Sequence, residues 1–187
     1  MPRAAGDGSV EEVPDEETIP FADVTYFDKD EEQDIGEVVD VNALKAILDA
    51  KVKGLGANRF YMVRIDGEFA QMHVRSELAQ EEPYKPLAKV LETDQTFFDY
   101  ENVSGTVVGL YCPAYMNMLN AVGWHFHFIS DDRQVGGHIV DLSCEQATVQ
   151  WDHTQEFAMK LPDSESFKEF DLTVDQSEDI KKVETGE

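Results

Sequence analysis

Apolar and polar residues alternate one by one through Trp124-His125-Phe126-His127-Phe128-Ile129. A period of two places neighbouring side chains on opposite faces of a strand, so Trp124, Phe126 and Phe128 share one face and His125 and His127 the other. A turn over Asp131-Asp132-Arg133-Gln134 and the Gly136-Gly137 pair lead into a second β-rich run, His138-Ile139-Val140-Asp141-Leu142, which predicts a hairpin. Asp66-Gly67 is a further hairpin signal, between Arg59 to Ile65 and Glu68 to Ser76, and on the return strand Phe69, Gln71, His73 and Arg75 are expected on one face. Asn102 to Tyr111 and Ala147 to Trp151 add strands rich in Val and Thr. Helical spacing is clear where Ala43, Leu44, Ile47, Leu48 and Val52 follow Asn42, a good N-cap residue, and stop at Gly54. That stripe is core rather than a cofactor surface. Shorter helices are predicted over Pro86 to Thr93, Ser164 to Phe170 and Asp175 to Val183, and Asp28 to Asp40 reads as an acidic connector. Met1 to Thr18, taken alone, has the composition of a flexible tail. Strands dominate, and the expected fold class is α+β, a mixed or antiparallel sheet core with a few peripheral helices.

The 187 residues suffice for a buried core and are treated as a single domain. Fifteen Lys and Arg stand against 39 Asp and Glu, a formal charge of −24 that repels nucleic acid and anionic membranes. The acidic surface is read as solvating, with binding of cations or a basic protein as the alternative. Cys112 and Cys144 lack CxxC spacing and each lies in an apolar strand-like run, so buried free thiols are expected. No apolar run approaches the ~20 residues of a membrane-spanning helix, and neither a basic nor an apolar leader precedes the rest. A cytoplasmic location is expected.

The histidines add chemistry to the hairpin. If Ser130 pairs with Val135, His127 faces His138, at a cross-strand Cβ separation of roughly 4.5–5.5 Å. His125, His127 and His138 then converge on one face, so the expected metal site lies on this β-hairpin. Three histidines with one or two coordination positions left open describe a catalytic site for zinc, manganese or non-haem iron rather than a closed structural one. The plainer alternative is that an HxH pair is polar decoration on a half-buried strand. His73 and His153 are read as structural.

The run Gly123-Trp124-His125-Phe126-His127-Phe128-Ile129-Ser130-Asp131-Asp132-Arg133, followed by Gly136-Gly137-His138, closely resembles the α-acetolactate decarboxylase family. Ile19-Pro20-Phe21-Ala22-Asp23, Arg64-Ile65-Asp66-Gly67-Glu68-Phe69, Arg75-Ser76, Pro83-Tyr84-Lys85-Pro86-Leu87 and Glu101-Asn102-Val103-Ser104-Gly105-Thr106 extend the resemblance in the family's order. It implies decarboxylation of 2-acetolactate to acetoin and CO₂ at a divalent metal, zinc first among candidates, held by His125, His127 and His138. It also aligns Arg75 with the family's active-site arginine, and Glu184 with a late glutamate near the metal. Expected partners are the small-molecule substrate, neither nucleic acid nor membrane, and a second copy in a homodimer. The resemblance makes Met1 to Thr18 the end of a strand and a loop leading to a strand over Phe21 to Phe27.

Relative to that family the chain is expected to lack a sizeable N-terminal portion, which carries a Leu-Asp-Gly-Glu motif whose glutamate reaches the metal. Ile65-Asp66-Gly67-Glu68 matches a different family segment by its neighbours, so that role is not placed on Glu68. An unpaired edge is then expected at Phe21 to Phe27 or Arg59 to Ile65, with poor solubility or weak activity. Two alternatives remain: a cupin-type iron or manganese enzyme, which also uses an HxH strand pair, and a metal-binding remnant without strong catalysis.

Overall fold

A computed structural model describes residues 2–14, 21–81, 85, 87–169, 171, 173 and 175. Its centre is a five-stranded antiparallel sheet. The strands are β3 (Glu31–Ile35), β4 (Tyr61–Glu77), β5 (Gln95–Cys112), β6 (Gly123–Ser130) and β7 (Gly136–Asp152), in the order β3-β7-β4-β5-β6. Because β6 also pairs with the start of β7, the circuit β4-β5-β6-β7 closes on itself. β1 (Pro2–Ala4) and β2 (Val10–Glu12) form a separate two-stranded ribbon. It joins the hairpin through the Ser9–Val135 bridge.

The sheet wraps a core of Tyr61, Val63, Ile65, Phe69, Val107, Phe126, Phe128, Val149 and Trp151. The aromatic rings interlock: Trp151 meets Tyr61 and Trp124 edge to face, with ring centres 6.2 and 6.0 Å apart. α1 (Val41–Leu55) closes the core by burying Leu44, Leu48 and Val52, one turn apart on a single stripe. Its cap is Asp40, two residues earlier than the expected Asn42, since the Asp40 carboxylate accepts from the Ala43 N–H at 2.7 Å, and the helix runs through Gly54 to end at Gly56. α2 (Leu87–Thr93) and α3 (Glu165–Glu169) match two predicted short helices; the one expected over Asp175 to Val183 lies, beyond Asp175, outside the described residues. Cys112 and Cys144 are free and buried, and loss of water pushes the Cys112 thiol up to about 11.

Four expectations about these elements are corrected. Asp66-Gly67 is not a turn: β4 runs straight through it, flanked by β5 on one edge and β7 on the other. Gly67 faces Gly105 and Ala147, and Asp66 is held by the Arg64 guanidinium at 2.9 Å and the Thr106 hydroxyl at 2.6 Å, so long-range pairing overrides the local turn preference. Arg59 to Ile65 is therefore central, not an exposed edge. Phe21 to Phe27 forms no strand, and Val24 and Tyr26 project into solvent, 82% and 100% exposed. The acidic connector, conversely, contains β3, in which Glu32 and Asp34 are exposed on one face while Glu31 and Gln33 are half-buried on the face of the buried Ile35.

Strand irregularities decide which side chains face outward. In β4 the buried apolar positions are Tyr61, Val63, Ile65 and Phe69, then Met72 and Val74. The inward phase thus flips around Ala70, where the pairing with β7 shifts register. Opposite, Asn102 of β5 takes a left-handed φ of 51° and flips that strand's phase too, so Phe98 and Tyr100 pack on the core along with Val103 and Val107. The expected common face of Phe69 with Gln71, His73 and Arg75 is corrected accordingly: Phe69 points into the core. In β7 an unpaired Val140 lies between Asp141, opposite His73, and Ile139, opposite Val74. It turns Ile139 inward and His138 outward.

Candidate metal centre

The predicted hairpin forms between β6 and β7, with the Ser130 N–H donating to Val135 O at 2.9 Å and its hydroxyl tied to the Asp132 carboxylate at 2.7 Å. This sets His127 directly opposite His138. With Trp124, Phe126 and Phe128 buried, His125 and His127 are turned to the other face. Each histidine offers a ring nitrogen, and the three nitrogens lie within 4.8 Å of one another. The His125 and His127 rings stack with an interplanar angle of 7° and their Nε2 atoms 2.8 Å apart, while His138 stands at 88° and 89° to them.

Electrostatics favour the neutral rings that metals bind. His138 is 7% exposed, and its burial, then the charges of His125 and Arg75, hold its pKa far below the usual imidazole range. His127 keeps an edge open to solvent, and its downward shift, caused first by desolvation and then by His125 and Arg75, is smaller. Three imidazoles with converging ring nitrogens, two of them kept neutral by desolvation, suit a divalent cation, so the residues present fit a metal.

Arg75 is on the same outer face, cross-strand from His138 on β4 and only 2% exposed. Its guanidinium lies 3.5 Å from the Glu77 carboxylate and 3.5 Å from the Gln95 side-chain carbonyl. Glu184 lies outside the described residues. His73, read as structural, stacks on Phe97 and binds the Asp99 carboxylate at 2.7 Å through Nδ1. It also borders a feature that the sequence did not disclose, a 490 Å³ cavity beside the histidines. Asp40, Asn42 and Lys45 of the first turns of α1 form one wall, and His125, His138 and Asp141 of the hairpin another. His153, also read as structural, packs edge-on against Tyr61.

The family model for alpha-acetolactate decarboxylase matches residues 3–174. The alpha-acetolactate decarboxylase of Methanosarcina mazei is 40% identical over 178 residues, covering 95% of this chain and 61% of that protein. That of Bacillus subtilis strain 168 is 32% identical over 187 residues, 99% of this chain and 71% of its own. The crystal structure of the B. subtilis strain 168 enzyme superposes with a TM-score of 0.91 at 31% identity, covering 98% of this chain and 77% of the other. The chain thus spans about three fifths of the length of the M. mazei relative. These likenesses displace the cupin-type alternative: the chain belongs to the α-acetolactate decarboxylase family.

Proposed function

We propose that this chain catalyses the decarboxylation of 2-acetolactate to acetoin and CO₂, with His125, His127 and His138 holding a divalent metal, zinc by preference. The observation that carries the reading is the cluster of three ring nitrogens beside a buried arginine in a chain of this family. A metal bound there supplies Lewis acidity toward oxygen atoms of a substrate. The chain's own groups supply the rest. When the bond between C2 and the carboxylate breaks, CO₂ leaves and the electron pair passes toward the adjacent ketone, so negative charge builds on oxygen. The Arg75 guanidinium, permanently charged and withdrawn from water, is the group that would stabilise that charge. A proton must then reach C2 from one face, and Glu184 is the carboxylate that the family resemblance assigns to this step.

The test is acetoin formation from 2-acetolactate before and after removal of divalent metal with a chelator. Turnover should vanish on chelation and return on adding zinc. Turnover that survives complete metal removal, verified by elemental analysis, would sink the proposed role of the histidines.

Arg75→Lys keeps a positive charge but loses the planar fork of donors. It should retain stoichiometric metal while slowing turnover by about 10²–10³-fold, the usual effect of removing a donor that stabilises developing negative charge. An unchanged kcat would remove Arg75 from the chemistry.

A further inference from the structure

We propose that Lys45 is the residue that captures the carboxylate of the incoming substrate, in the cavity between α1 and the histidine hairpin. This deepens the decarboxylase reading and rests on it. A chain of formal charge −24 has to attract an anionic 2-hydroxy-3-oxo acid against its own field. The cavity wall offers a local answer. Lys45 lines it together with His125 and His138.

The carboxylates near Lys45 are engaged elsewhere. Asp40 accepts from the Ala43 N–H at 2.7 Å, and Asp141 from the Val41 and Leu142 N–H groups at 2.8 and 2.9 Å. Asp49, one turn along α1, accepts from the Trp124 indole N–H at 2.8 Å. Among the described residues Lys45 has neither an ion pair nor a hydrogen bond, so its ammonium is available to a ligand. Around it the lining is mixed, with Trp124, Ile139 and Val140 providing apolar surface for a methyl-bearing acid. Arg75 is not part of this lining and approaches the histidines from the neighbouring strand. Two cations therefore serve different ends of one substrate: Lys45 the carboxylate, and Arg75 the oxygen that gains charge.

Lys45→Met preserves chain length and helix propensity while removing the charge. A charge-assisted hydrogen bond of this kind corresponds to about a tenfold or greater change in affinity. KM for 2-acetolactate should therefore rise about tenfold while kcat does not fall, because the contact is made to the ground-state carboxylate, whose charge is lost as CO₂ departs. Lys45→Arg should restore most of the affinity. An unchanged KM in Lys45→Met, or a fall in kcat with KM constant, overturns the assignment.

A second readout is independent of turnover. Trp124 lines the cavity, so its fluorescence should respond to 2-hydroxy-2-methylpropanoate, an unreactive hydroxy acid, in wild type about tenfold more tightly than in Lys45→Met. Acetoin, which lacks the carboxylate, should bind both alike. If the wild-type chain yields no acetoin, the decarboxylase reading fails and this titration alone decides Lys45: equal affinities of the two proteins for the hydroxy acid overturn the proposal.

Discussion

His138→Ala should leave a folded protein that no longer holds stoichiometric metal and has lost turnover by about 10²-fold or more, since even altered outer-shell partners of metal ligands cost about 10–100-fold. Of the three histidines it is the most buried, and it stands at right angles to the stacked pair, closing the third side of the cluster. His125 and His127 alone share one strand and one ring orientation, which leaves two nitrogens and no convergent third. Elemental analysis per mole of chain, alongside thermal unfolding, separates loss of metal from loss of fold. His73→Ala, on the same outer face but bonded to Asp99, is the control and should keep its metal. Full metal occupancy in His138→Ala would show that the ligand set is different.

The largest effect on stability is expected at Trp151. It is fully buried at the meeting point of β7, β4 and β6, against Tyr61 and Trp124, with the Lys51 ammonium 5.6 Å from its ring centre. Trp151→Ala should lower unfolding free energy by about 3–5 kcal/mol, a large share of the roughly 5–15 kcal/mol of an ordinary domain. Trp151→Phe should be much milder. The indole N–H has no hydrogen-bond partner among the described residues, so the phenyl ring forfeits volume but no bond. Urea titration of the two variants tests the contrast, and equal losses would mean that ring packing is not what matters at this position.

The histidine cluster was legible because everything that builds it is local. Alternation fixes the face of His125 and His127, and a short turn fixes the register that brings His138 across. Arg75 entered through resemblance, since a strand arginine carries no signal of its own, and the structure sets it beside His138. What the sequence hid is long-range. Asp66-Gly67 has strong turn chemistry, but pairing on both edges of β4 outweighs a local preference. β3 was obscured because Glu31 and Gln33, which share the face of Ile35, are polar, so the alternation carries no apolar signal before Ile35. Lys45 looked like one more polar position on a helix, because nothing near it in the chain says that α1 packs against a hairpin some 80 residues later.

The irregularities at Ala70 and Val140 give two of these strands slack in their length. Side chains on a strand obey parity, and each irregularity carries one residue more than the alternation needs. Losing Ala70 would leave Phe69, Met72 and Val74 inward and Arg75 outward, and losing Val140 would leave Ile139 opposite Val74 and His138 opposite Arg75. β6 holds no such spare residue, so losing Phe126 would put His125 and His127 on opposite faces. One-residue gaps at Ala70 and Val140 should therefore be borne far better than gaps in β6, so that tolerance of deletions marks where the centre's strands can be shortened without dismantling it.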